Sequence, residues 1–182
     1  MLAAAPLLCL STVGASTAEA ARPPAPCTNA DLSPTSGNAT SVEAATLCLV
    51  NEVRSAHHLH ALHANGELRM LATSQVNAMV RWDYFADNRP PGVTPMALIA
   101  STPYKAHTRF LSLGQNIGWG TGRYATPIRM VAAWMASPPH RKVILTSEYR
   151  EAGAGVTAAV PPVLEPEFPG ATYAIEFATR RY

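Results

Sequence analysis

The chain has 182 residues, of which 48% are hydrophobic and 14% charged, so it carries enough apolar material for a packed core and too little charge for a disordered chain. Its formal charge is only +2, which excludes retention on nucleic acid by bulk charge. No apolar stretch reaches the length of a membrane span, so the length and composition describe one domain with an N-terminal extension.

Residues 1–20 read as a signal peptide. A short apolar run, Leu2 to Val13, is followed by small residues and by Ala18-Glu19-Ala20, which fits an A-x-A cleavage site; a positive n-region is absent, since the first arginine is Arg22. Cys9 follows Leu8 and lacks the small residue expected before a lipid-modified cysteine. Export then leaves two cysteines, Cys27 and Cys48, and one intramolecular pairing. That bridge closes a loop of about 20 residues and ties the Pro-rich arm, residues 21–40, to the segment carrying Cys48; the alternative is two free thiols.

The domain proper is expected over residues 41–182. Thr40-Ser41-Val42-Glu43 matches a capping box, and Val42, Ala45, Leu49, Val53 and Ala56 recur at helical spacing, which predicts a helix from about 41 to 57. After a loop ending at Asn65-Gly66, Leu68, Leu71, Ala72, Gln75, Val76 and Met79 predict a second helix over 66–82. Residues 86–105 form a Pro-rich loop with one short helix near Met96–Ser101, and 111–120 read as a strand or a site loop. Thr126-Pro127 opens a third long helix, with Ile128, Val131, Ala132 and Met135 as its apolar face. Ser137-Pro138-Pro139 ends it, and a short turn of helix follows through Arg141–Leu145. Glu151–Val160 and Ala171–Thr179 read as strands. Helices first and strands last favour an α+β arrangement.

The segments LVNEVR, FADNRPPG, GQNIGWGTG, TPIRMVAAWMASPPHRKVIL, REAGAGV and TYAIEF, in this order, resemble the bacterial CAP domain, the superfamily of group-one pathogenesis-related proteins and cysteine-rich secretory proteins. The resemblance covers about residues 42–180. It implies a three-layer α-β-α sandwich with a small antiparallel central sheet, an extracellular location, and a cleft of two histidines and two acidic residues that binds zinc in some members. Carried over residue by residue, the first cleft His becomes Asp87, the Glu of the G-E-N-I segment becomes Gln115, the second acidic position becomes Ser137, and the last His remains His140. Asn116 and Ile117 fall in the same segment and are expected to serve the fold, Asn116 as a buried amide.

This inventory weakens acid–base and metal chemistry. The amide of Gln115 is not a base, and zinc sites use more ligands than the two, Asp87 and His140, left here. Gln115 is a candidate to hydrogen-bond His140 and orient it. His140 is the one candidate catalytic residue, with Ser137 as a nucleophile in a hydrolase reading. Trp119 and Trp134 are expected in the core or the cleft wall. A separate cluster, His57, His58, His60 and His63, has chelating composition, whereas the resemblance makes Leu59 and Leu62 the packing residues there and turns the histidines to solvent. The expected function is a secreted monomeric binding module for a lipid, a cell-wall component or a protein, with no cofactor; a hydrolase or a metal-dependent protein using His140 is the alternative.

Overall fold

The computed structural model describes residues 26–182; the expected signal peptide, Cys9 and the start of the Pro-rich arm lie outside the described residues. The order of elements is α1 (Ala39–Ala56), β1 (His63–Ala64), α2 (Gly66–Arg81), α3 (Pro95–Ala100), β2 (Phe110–Thr121), α4 (Pro127–Ala136), α5 (Pro138–Ile144), β3 (Glu151–Thr157) and β4 (Gly170–Arg181). The strands form one sheet in the order β1-β3-β4-β2. β4 pairs antiparallel with both β3 and β2, and the two residues of β1 pair parallel with β3.

The sheet lies between two helical layers, as an α-β-α sandwich. On one face, Val42, Leu49 and Val50 of α1 and Met130, Val131 and Trp134 of α4 pack against Ala152, Ala154, Val156, Tyr173, Ile175 and Phe177. On the other, Leu68, Leu71, Ala72, Val76 and Met79 of α2 and Ile99 of α3 meet Ile117, Ala174 and Ala178. The period of two in β4 therefore sends Tyr173, Ile175 and Phe177 to the α1–α4 layer, and Ala174, Glu176 and Ala178 to the α2 layer. α2 rests directly on β3: a Cβ on Gly153 would collide with the backbone nitrogen of Arg69, and one on Gly155 with that of Thr73.

Several local expectations change. α1 starts at Ala39 with Asn38 as its cap residue, and Thr40–Glu43 is not a capping box. Glu43 instead is buried and turned to α2, where its carboxylate takes Arg69 at 3.4 Å and the Thr73 hydroxyl. Asn38 is engaged upstream, accepting from the Thr35 nitrogen at 2.7 Å. The buried face of α4 is Pro127, Met130, Val131 and Trp134, one residue off the expected set, because Met130 and Trp134 fill the space over Gly118. α5 starts at Pro138, since proline is tolerated in the first turn of a helix. β1 falls in what reads as loop, being too short to show a period. α2 matches expectation, with the Asn65 side chain accepting from the nitrogens of Glu67 and Leu68. Cys27 and Cys48 are joined in a disulfide, with Cα atoms 5.8 Å apart. Leu62 is buried, Leu59 half-buried, and the four histidines around them exposed.

Arg54 of α1 is fully buried and holds the turn after α1 to the segment between α5 and β3. It donates to the carbonyls of His60 at 3.0 Å, Ile144 at 2.6 Å, Thr146 at 2.9 Å and Tyr149 at 3.3 Å. Burial, and then Arg150 nearby, lowers its pKa from the ordinary value. Removing the guanidinium strands four carbonyls in a closed interior. Arg54→Met is expected to cost roughly 3 kcal/mol or more in urea unfolding, while reducing the Cys27–Cys48 bridge costs about 3 kcal/mol; an Arg54→Met midpoint equal to that of the parent contradicts the clamp.

Candidate functional site

The expected cleft residues gather along β2, the free edge of the sheet, but they sit on two different faces. Gln115 and Asn116 are neighbours in an extended strand and so point oppositely. Asn116 is buried and faces the α4–α5 layer, where its Nδ2 donates to the His140 carbonyl at 3.0 Å and ties α5 to the strand. Ile117 lies in the core beside α2, and its carbonyl accepts from the Trp134 indole at 2.8 Å. Trp134 is therefore core, whereas Trp119 is 38% exposed. The His140 imidazole is paired through Nδ1 with the Ser137 hydroxyl at 2.8 Å.

Gln115 does not orient His140. It lies directly opposite Glu176 in the β2–β4 register, and its Nε2 donates to Glu176 Oε1. The expected contact fails because the sheet register, 61 residues apart in sequence, supplies a nearer partner on the α2 side. A carboxyl group thus lies beside position 115, on the neighbouring strand. Glu176 has no exposed surface, and burial drives its pKa up to about 8 from the ordinary 4.5. Gln115 and Arg89 pull it down and Asp87 pushes it further up, so burial dominates. The protonated form suits the geometry. Glu176 Oε2 and Gln115 Oε1 are both buried without a partner, and they are the donor and acceptor left over when an acid and an amide share one hydrogen bond.

The loop after α2 closes over this pair. Gln75 of α2 is fully buried and donates to the carbonyls of Ala86 at 2.9 Å and Asp87 at 3.2 Å. Arg89 reaches back, donating to Gln75 Oε1 at 2.9 Å and to the Ser74 hydroxyl at 2.9 Å. Asp87 itself is exposed and acts on Glu176 only through its charge. Among the described residues, the one set of three groups with metal-ligand spacing is Cys27, Cys48 and Glu52, and both of its sulfurs are in the disulfide. Asp87 and His140 do not join a third ligand, so these residues do not fit a zinc site.

The family model described as the cysteine-rich secretory protein family, CAP, matches residues 47–159. The chain belongs to this family. Among solved structures, an outer surface protein of Borrelia burgdorferi superposes with a TM-score of 0.59 at 16% identity, over 74% of this chain and 90% of that one. An extracellular protein containing an SCP domain from Bacillus anthracis gives 0.55 at 21% identity over 78% of this chain. A cysteine-rich secretory protein from Staphylococcus aureus gives 0.55 at 21% over 79%. This chain spans 40% of the length of each of the latter two. At these identities the likeness shows the shared fold. No curated protein matches by sequence.

Sequence reasoning missed Glu176, Gln75 and Arg89 as parts of the site. The signal for Glu176 was partial: it is the one charged residue in ATYAIEFAT, but it lies on the face opposite Tyr173, Ile175 and Phe177, which alternation alone leaves to solvent and which the α2 layer buries. Nothing local marks Gln75 and Arg89, whose partners come from folding the 86–89 loop back onto α2.

Because the folded Glu176 holds its proton more tightly than the unfolded one, its contribution is complete below about pH 4.5 and is lost as pH rises toward 8. Glu176→Gln keeps an acceptor for Gln115 Nε2 and adds a donor for its Oε1. The variant is expected to melt increasingly above the parent from pH 5 to pH 8, with a difference on the order of a few kcal/mol at the alkaline end. A gap that does not change with pH excludes a protonated Glu176.

Proposed function

We propose that this CAP-domain protein is a secreted, monomeric, non-enzymatic binding module whose partner is a lipid, a cell-wall component or another protein outside the cell. The observation that carries the reading is the Gln115–Glu176 pair. An amide occupies the position where the family places a carboxylate, and the one carboxyl group facing it is sealed from water and held neutral. A neutral, enclosed acid neither removes a proton from a bound substrate nor ligates a metal, so the pair acts as a rigid wall for the cleft and the module works without a cofactor. Secretion agrees with the segment before the domain, and no helix among the described residues is long and apolar enough to cross a membrane.

The 2.8 Å contact between Ser137 and His140 favours a second reading, a hydrolase in which His140 activates Ser137. A triad needs a third group that orients the imidazole, and among the described residues no carboxylate bonds to His140.

Native mass spectrometry of the secreted protein, with and without zinc and beside His140→Ala, separates these readings. The binding module predicts a polypeptide two mass units below its reduced value, a retained lipid-sized ligand or none, and no zinc. It also predicts that His140→Ala alters stability or binding without removing any ester or peptide hydrolysis. One stoichiometric zinc lost with His140, or a robust hydrolytic activity lost in that variant, overturns it.

A further inference from the structure

The outer flank of α2 carries an arginine groove that shares Arg89 with the loop over the cleft pair. A concavity of about 540 Å³ runs along the helix; its polar lining is Arg69, Thr73, Ser74, Asn77, Arg81 and Arg89, beside the exposed Met70 and Trp82. No carboxylate lines it, although the net charge of the whole chain is only +2. Glu43 is buried behind Arg69, and its 3.4 Å contact leaves half of the Arg69 side chain in solvent, while Asp87 is exposed two residues before Arg89. Asp83, beside the far end, accepts from the Val163 nitrogen at 2.6 Å and is engaged there. Arg81 makes no ion pair among the described residues.

The spacing of the three guanidinium groups has a simple geometry. Arg69 and Arg81 are twelve residues apart on one helix, roughly 18 Å along its axis. Arg89 comes from the following loop and is fixed between them, since its bonds to Ser74 and Gln75 anchor it at the midpoint of that stretch. The arginines are therefore anchored at axial intervals of about 9 Å, with the hydroxyl of Ser74 and the amide of Asn77 in between. A single small anion meets one arginine and leaves the others unused. The stripe also winds through about 120° around the helix between its ends. A flat bilayer surface touches only part of such a stripe, whereas a flexible chain follows all of it.

We propose that this groove binds a linear polyanion of phosphate units, laid along α2 so that phosphates spaced along the polymer meet Arg69, Arg89 and Arg81. The planar fork of arginine matches phosphate oxygens two at a time, and the Ser74 hydroxyl and Asn77 amide donate to the remaining oxygens. The groove does this whatever the cleft binds, so the two assignments stand or fall separately.

The test uses the full mature protein and fluorescently labelled long-chain inorganic polyphosphate, with orthophosphate and phosphatidylglycerol vesicles in parallel. Arg81→Gln and Asn77→Asp are the variants, both at exposed positions outside the Gln115–Glu176 site, with thermal melts confirming that each is folded. The polymer is expected to bind, to bind roughly tenfold or more weakly at 200 mM than at 50 mM salt, and to lose about fivefold in affinity in each variant. Orthophosphate is expected to compete only at far higher phosphate concentration. Unchanged polymer affinity in both variants, or equal potency of orthophosphate per phosphate, overturns the proposal. Binding of the vesicles in place of the polymer overturns it in favour of a membrane surface.

Discussion

Glu176 stands on the strand with a neighbour on each side, and among the described residues its side-chain hydrogen-bond partner is the amide of Gln115. The site follows from how that position is enclosed. Gly153, its register partner on β3, has no side chain, so the backbone of α2 comes down onto the sheet. Gln75 then pins the 86–89 loop above, and water has no path to the carboxyl group. A carboxylate in that position lacks both solvent and a paired cation, so the proton stays. The neutral acid–amide pair is the consequence of a close helix–sheet contact, and it fixes what the cleft can do.

The same enclosure separates residues that a linear alignment places in one cleft. Gln115 belongs to the α2 side of β2, while Asn116, His140 and Ser137 belong to the α4–α5 side. The edge strand is the partition between them. The His140 carbonyl accepts from Asn116 and its ring pairs with the Ser137 hydroxyl. The rim of this edge and the flank of α2, where the arginines lie, are both open concave surfaces.

Much of this was legible in the residues. Leu68, Leu71, Ala72, Val76 and Met79 recur at the period that buries a helix face, and Asn65 announces that helix with its cap. The two cysteines that follow the expected leader had one partner each, and the alternation in β4 was readable. The errors share a physical cause. The Glu43 carboxylate fits a capping box locally, yet the half-exposed Arg69 and the Thr73 hydroxyl on α2 take it instead. The α4 face shifted by one because Gly118 opened space on another element. Gln115 was assigned to His140 because its true partner is set by strand register, which no local pattern records. Arg54 was invisible as a clamp, since a lone arginine in a helix reads as a solvated charge until four carbonyls are seen to converge on it.

The most direct measurement is a carbon-13 NMR titration of the Glu176 side-chain carboxyl, assigned by its loss in Glu176→Gln. The account predicts that this carboxyl stays protonated through the range where ordinary glutamates ionise and titrates near pH 8. An inflection near 4.5 would mean an ionised carboxylate beside Gln115, restoring to the cleft the base and metal ligand that the account removes.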